Sequence, residues 1–216
     1  KPGINNAAVD HFRIRVHGKS THVSTPHLGV DALYIASQIV VAVQGLVTRR
    51  TSPTEPVIIG IGKLNAGTTY NAVAAFAEME GTTRTISQES RDRVRAQVSE
   101  TAQSIAALYG GTAEVEWTDF AAALVNDPQV CEEAARVVDE LLGAGHVVTD
   151  RELSLSGDNF AEFELYKPGA YAYLGTGNPD LPHTMITNHN GGFDVDENAL
   201  VTGAGLYVGY TVARLG

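Results

Sequence analysis

The sequence predicts an α+β protein whose first half folds as a β-α-β-β-α-β unit of the ferredoxin-like type. Four segments alternate in polarity or are rich in β-branched residues, as strands are: 11–17, 57–61, 72–85 and 112–117. Two others, 31–47 and 87–108, carry apolar residues at helical spacing. Four strands and two helices in this order favour an antiparallel sheet with both helices on one face.

Local signals support each of these elements in turn. The first strand alternates between charged or histidine side chains and the apolar residues Phe12, Ile14 and Val16. The helix over 87–108 is expected to end at Gly110-Gly111, because glycine commonly terminates helices. The alternating segment that follows then completes the sheet.

The second half, from about residue 120, has a different character. Asp127-Pro128 predicts the start of a helix that runs to about residue 142, since Asp caps helices and Pro suits the first turn. A short helix over 158–165, a buried strand over 170–174 and a last helix after Asp196 are also expected. Asp194 and Glu197 have the spacing of a capping box for that helix. These few elements predict part of an α/β domain whose other strands lie elsewhere.

The composition excludes several classes of function and of site. The 216 residues carry a net charge of −10, which argues against a nucleic acid as partner because phosphate binding needs clustered cations. The single cysteine, Cys131, excludes an intrachain disulfide and a CxxC metal site. The apolar stretch 35–47 is too short to span a membrane. We therefore expect a cytoplasmic protein without a membrane partner or a signal peptide. We also expect that the sequence, which begins at Lys1, starts within a longer chain.

Two histidine-containing loops are the candidates for chemistry. His22 lies in the loop 18–30 between the first strand and the first helix, where it either has a function or only caps a turn. His189 is followed by Gly191 and Gly192, which let the backbone turn tightly before the last helix. A side chain held between a turn and a helix is well placed to bind a metal.

Four motifs in a fixed order carry a family resemblance. They are Gly-Lys-Ser-Thr-His-Val-Ser-Thr-Pro-His-Leu-Gly-Val-Asp-Ala-Leu over 18–33, Leu-Asn-Ala-Gly-Thr-Thr-Tyr-Asn-Ala-Val over 64–73, Glu-Gly-Thr-Thr-Arg-Thr over 80–85 and His-Asn-Gly-Gly-Phe-Asp-Val-Asp-Glu over 189–197. This set resembles the dinuclear metallopeptidases and amidohydrolases that include hippurate hydrolase, aminoacylase and indole-acetyl-amino-acid hydrolase. The resemblance implies a lid/dimerisation domain over 10–119 and the C-terminal part of a zinc-exopeptidase-like α/β catalytic domain over 120–216. Residues 1–9 would connect them to an absent N-terminal catalytic half.

The resemblance also implies roles for single residues. His22 would reach across a homodimer interface and donate a hydrogen bond to the tetrahedral oxyanion. Asn71 and Arg84 would hold the terminal carboxylate of the substrate, although a turn-forming Asn and a solvated strand Arg remain the alternatives from the residues alone. His189 would bind one of two divalent metal ions, zinc or else cobalt, nickel or manganese.

The predicted function is that of a metal-dependent amidohydrolase or peptidase acting on N-acyl amino acids or small peptides through a metal-activated water. This chain alone would be inactive, because one histidine does not hold a catalytic zinc. The alternative is a non-catalytic dimerisation or ligand-binding module that keeps the scaffold.

Cys131 beside Glu132 and Glu133 is interpreted as an ordinary helix surface, and His183 as a solvated loop residue. Without a Gly-x-Ser-x-Gly elbow, a serine hydrolase is not expected. The glycines of 203–209 are interpreted as allowing close helix packing.

Overall fold

The computed structural model describes all 216 residues, Lys1–Gly216. The strands are β1 Gly3–Asn6, β2 Ala8–His17, β3 Ile58–Ala66, β4 Phe76–Thr85, β5 Thr112–Ala121 and β6 Leu124–Asn126. The helices are α1 Ala32–Arg49, α2 Gln88–Leu108, α3 Pro128–Leu142, α4 Ala161–Glu164 and α5 Asn198–Leu215. Two compact units are formed. We call residues 4–124 with 153–163 the sheet unit, and residues 1–3, 125–152 and 164–216 the C-terminal unit. The predicted domain boundaries stay predictions.

The sheet unit confirms the predicted ferredoxin-like arrangement. Its four strands are antiparallel in the order β3-β4-β2-β5. The helices α1 and α2 cover one face, and the side chains that alternate onto this face from β2, namely Phe12, Ile14 and Val16, are fully buried. The rings of Phe12 and Trp117 lie 5.2 Å apart. Alternation of apolar and polar residues along the strand thus places the apolar side chains in one core between the sheet and the two helices.

Both helices of this unit begin at capping side chains. The Asp31 carboxylate accepts hydrogen bonds from the backbone N–H groups of Leu33 and Tyr34, and Ser87 Oγ accepts from Ser90. By length and composition α1 is apolar enough to cross a membrane. It packs against the sheet instead, as core helices of this composition do.

The other face of the sheet is open and charged. Arg15 on β2 donates to Glu78 on β4 at 3.1 Å and to Glu116 on β5 at 2.6 Å. Lys63 on β3 donates to Glu80 on β4 at 2.7 Å. Cross-strand pairs of opposite charge stabilise a solvent-facing sheet modestly. This face is therefore a solvated surface that needs no second layer.

In the C-terminal unit, α3 begins as predicted, because the Asp127 carboxylate accepts from the backbone N–H of Val130. Helix α5 packs closely on α3. A Cβ added at Gly209 would lie 2.7 Å from Cγ1 of Val137, so glycine permits the approach. The close helix packing that we predicted for the glycines of 203–209 is thus found at Gly209.

Two local predictions are wrong. Residues 170–174 form no strand, and Tyr173 and Leu174 are exposed. The segment is held instead by the side chain of Asn126, which accepts from the backbone N–H of Tyr171 and donates to its carbonyl. The capping box of α5 is also absent, because the Asp194 carboxylate accepts from the N–H of the adjacent residue 195. The predicted short helix is limited to α4.

Candidate functional site

His22 and Asn71 lie side by side at one end of the sheet. The chain after β2 continues antiparallel to the chain that leads into β4, with the Val23 N–H donating to the Asn71 carbonyl at 3.1 Å. A further bridge joins His22 to Ala72. Two loops far apart in sequence are thereby held together by backbone hydrogen bonds.

The contacts of the His22 ring define its tautomer. The backbone N–H of Ser24 donates to His22 Nδ1 at 3.2 Å, and Ser24 Oγ lies 2.7 Å from the same nitrogen. Because Nδ1 accepts a hydrogen bond, the proton of the neutral ring is assigned to Nε2. The side chain is exposed, so the Nε2–H can donate to a group from outside the chain.

Asn71 adds a second donor beside it. Its side-chain oxygen accepts from Thr69 Oγ1 at 3.2 Å, which orients the amide. An adjacent cleft of about 240 Å³ is lined by residues that include Val23, Gly67 and Thr68, and also by Asp31, whose carboxylate caps α1. Two outward N–H donors next to a small cleft suit the recognition of an oxyanion or a carboxylate.

Arg84 lies near the opposite end of the sheet. It pairs with Val9 and Ile58, whereas Phe76, at the start of the same strand, pairs with His17 next to the His22 loop. From residue 76 to residue 84 a strand extends about 26 Å, and Asn71 lies further still. The Arg84 guanidinium donates to the Thr82 hydroxyl and the Thr83 carbonyl. One chain therefore does not bring Arg84 to the ligand that His22 and Asn71 would contact.

His189 belongs to the C-terminal unit and has an unusual backbone. Its φ of 61° makes it the one non-glycine residue in the left-handed region. Asn190 closes the turn that follows, since its side chain accepts from the Gly192 N–H and its carbonyl from the Phe193 N–H. Non-glycine residues in this region are uncommon and cluster at functional sites.

The fit of His189 to a metal is partial. No group of three or more His, Cys, Asp or Glu side chains in the chain could hold a metal ion. His183 pairs with Asp194 at 3.8 Å, and both are exposed. An exposed imidazole on a fixed backbone fits one position of a metal shell. If His189 binds a metal, further ligands would have to come from outside this chain.

Cys131 shows no sign of reactivity. Burial raises the pKa of its thiol, which lowers the fraction of reactive thiolate. This agrees with its interpretation as an ordinary residue of α3.

Sequence reasoning missed the side chains that hold the ends of the His189 loop. Asn178, Thr184 and Asp196 form one hydrogen-bonded group across three loop segments. Asn, Thr and Asp in loops signal side-chain to backbone bonding. The spacing of these residues in sequence, however, does not reveal which of them meet.

The sheet unit is a domain of a known class. Residues 7–109 match the family model described as a peptidase dimerisation domain. The matched segment is therefore an M20 peptidase dimerisation domain, and this confirms the resemblance that the four motifs indicated.

Several relatives are hydrolases. The chain is 34% identical over 199 residues to thermostable carboxypeptidase 1 of Saccharolobus solfataricus, covering 92% of this chain and 49% of that protein. It is 33% identical over 201 residues to N-acetyl-L-cysteine deacetylase of Bacillus subtilis, covering 93% and 46%. The solved YXEP protein of Bacillus subtilis, a dinuclear metal binding peptidase, matches with a TM-score of 0.78 at 27% identity, over 99% of this chain and 52% of that one. The chain spans about half the length of the curated relatives it matches.

Proposed function

We propose that this chain is part of a cytoplasmic, metal-dependent amidohydrolase that cleaves the amide bond of N-acyl amino acids or small peptides. The observation that carries the proposal is the pair of outward donors, His22 Nε2–H and the Asn71 amide, on a dimerisation domain of this family. Two of the relatives are named a carboxypeptidase and a deacetylase, and both names support the same class of reaction.

Two divalent ions, zinc or else cobalt, nickel or manganese, would supply Lewis acidity and a more acidic water when bound. His189 would hold one of them, together with ligands from the other half of the enzyme. In this proposal His22 donates its Nε2–H to the oxyanion that develops on the substrate carbonyl. Loss of one such donor commonly lowers turnover by about 10²–10³.

The separation of Arg84 from His22 favours a site shared by two subunits. A substrate whose carbonyl and carboxylate lie a few ångströms apart cannot reach both within one chain. An antiparallel pairing of two β3 edges brings the His22 end of one sheet to the Arg84 end of its partner. Three strand spacings, about 14 Å in all, then separate the β4 strands, and loops such as that of Asn71 can bridge part of this gap.

The charges of the two sheet edges favour β3 over β5 as this interface. The only charged residue of β3 is Lys63, and its Ile58 and Leu64 side chains are exposed. The other edge, β5, carries Glu114, Glu116 and Asp119. A row of like charges disfavours pairing of an edge strand with the same strand of a second subunit, whereas an apolar edge strand favours such pairing.

A heterodimer experiment tests this proposal. We expect His22→Ala and Arg84→Ala homodimers, each assembled with the catalytic half and zinc, to be inactive toward a panel of N-acyl amino acids and dipeptides. A differently tagged, purified heterodimer of the two variants has one intact and one doubly damaged site, so it regains about half of the wild-type activity. No recovery would show that both residues act within one subunit. His27→Ala, an exposed histidine of the same loop, is the matched control and keeps full activity.

A non-catalytic dimerisation or ligand-binding module is the second candidate. The absence of a metal-ligand group within the chain favours it. Stable dimers that bind no metal and turn over nothing in the panel, even with the other half present, would establish this candidate and refute the first.

A further inference from the structure

The loop that carries His189, residues 185–195, is tied at both ends to one residue, Asn178. At the start of the loop, Thr184 Oγ1 accepts from the Asn178 backbone N–H at 2.8 Å, and Thr184 is 4% exposed. At the end of the loop, the Asn178 side-chain amide donates to Asp196 Oδ2 at 2.7 Å. A single residue therefore closes the base of the loop.

Further bonds hold each anchor in place. Asp196 Oδ1 accepts from the backbone N–H and the side-chain amide of Asn198, and the Asp196 N–H donates to the Thr176 carbonyl at 2.9 Å. Thr184 Oγ1 also donates to the Leu181 carbonyl at 2.8 Å. The hydrogen bond from Asn178, followed by that from Asn198, lowers the pKa of Asp196, so the carboxylate is charged at neutral pH.

The backbone of His189 needs such support. A non-glycine residue in the left-handed region costs of order 1 kcal/mol or more and persists only where its surroundings hold it there. Inside the loop only the Asn190 turn holds it, and the histidine itself is exposed. The closed base restricts the conformations that the loop can sample.

We propose that Asn178, with Thr184 and Asp196, is a positioning clamp that fixes the base of the 185–195 loop and so holds the His189 imidazole in the place where it binds metal. The metal part of this inference rests on the proposed function, while the effect on the loop does not. None of the three residues contacts the reacting atoms in this scheme. They act through His189.

Asn178→Asp is the direct test, because it sets a carboxylate against the Asp196 carboxylate. We expect amide hydrogen exchange across 185–195 in this chain to rise about tenfold or more. In a preparation that also contains the other half of the enzyme, we expect Co²⁺ to bind about 10- to 100-fold more weakly, as when an outer partner of a ligand is lost. His146→Gln, a change at an exposed histidine of the same unit outside the loop and the clamp, leaves both readouts unchanged.

The reversed pair, Asn178→Asp with Asp196→Asn, keeps a carboxylate facing an amide and is expected to restore slow exchange and Co²⁺ affinity. Restoration separates the clamp from general damage to the fold. Unchanged exchange in Asn178→Asp, or failure of the reversed pair to restore it, would overturn the clamp whatever His189 binds. If exchange rises but Co²⁺ affinity is the same in Asn178→Asp and in His189→Ala as in wild type, the role of His189 is refuted, and with it the metal part of the inference.

Discussion

Replacing Arg91 by methionine probes the one ion pair that is buried inside the sheet unit. Asp10 lies on the helix-facing side of β2, and its side chain is 1% exposed, against 7% for Arg91 on α2. Arg91 Nη2 donates to Asp10 Oδ1 at 2.6 Å, and Nε donates to Oδ2 at 3.0 Å. The variant therefore leaves a charged carboxylate in the core without its principal partner.

The expected loss follows from that burial. Removing one partner of a buried pair costs about 3–5 kcal/mol of unfolding free energy. Arg95 remains 3.8 Å from Asp10 Oδ1 and compensates part of the charge, so we expect the lower end, about 3 kcal/mol. The matched control is Arg93→Met, which removes a half-buried, solvent-accessible pair with Glu55 and costs about 1 kcal/mol.

Urea unfolding followed by the fluorescence of Trp117 measures this effect. Trp117 is the only tryptophan, and its fluorescence reports on the sheet unit because its ring packs on Phe12. Adding Asp10→Asn to Arg91→Met removes the unpaired charge and is expected to recover much of the lost stability. The reasoning fails if Arg91→Met is no more harmful than the control, or if the double variant is as unstable as the single one.

Two further predictions concern the same unit. The pKa of Glu80 is lowered from 4.5 to about 2, and the hydrogen bond from Lys63 is the main cause. The charged Glu80 carboxylate therefore contributes its full stabilisation above about pH 4.5, and this stabilisation is lost as the pH falls toward 2. Lys63→Met should raise that pKa in an NMR titration and flatten the acid limb of urea midpoints, and an unchanged titration would contradict this cause. Gly81→Ala should lower the unfolding free energy by about 1–3 kcal/mol, since the new Cβ would lie 2.2 Å from Phe12 Cζ. Gly45→Ala, in open space on α1, should raise it by up to about 1 kcal/mol, and equal effects of the two changes in thermal unfolding would refute the steric account.

The sheet unit could be predicted because its signals are local. Alternation along β2 puts Phe12, Ile14 and Val16 on one face whatever the rest of the chain does. The caps Asp31 and Ser87 act on N–H groups two or three residues away. Local signals that agree with one another specify topology well.

The failures in the C-terminal unit have a common cause. Residues 170–174 have the composition of a strand, but a strand also needs a neighbouring strand, and this segment is met by side chains such as those of Asn126 and Arg151. The spacing of Asp194 and Glu197 suits a capping box only if α5 begins at Asp194, whereas it begins at Asn198. In both cases a local pattern fitted the expected element, but the chain did not form that element.

The candidate site shows a further limit of motif reading. Asn71 and Arg84 belong to neighbouring motifs, and their types suit one carboxylate. The segment between them is mostly the strand β4, and a strand converts a short separation in sequence into the length of a sheet. His22, remote in sequence, is instead brought to Asn71 by two backbone-paired loops. A small ligand can therefore contact His22, Asn71 and Arg84 together only if two copies of the sheet unit contribute these residues. Dimerisation is thus a condition of the proposed chemistry.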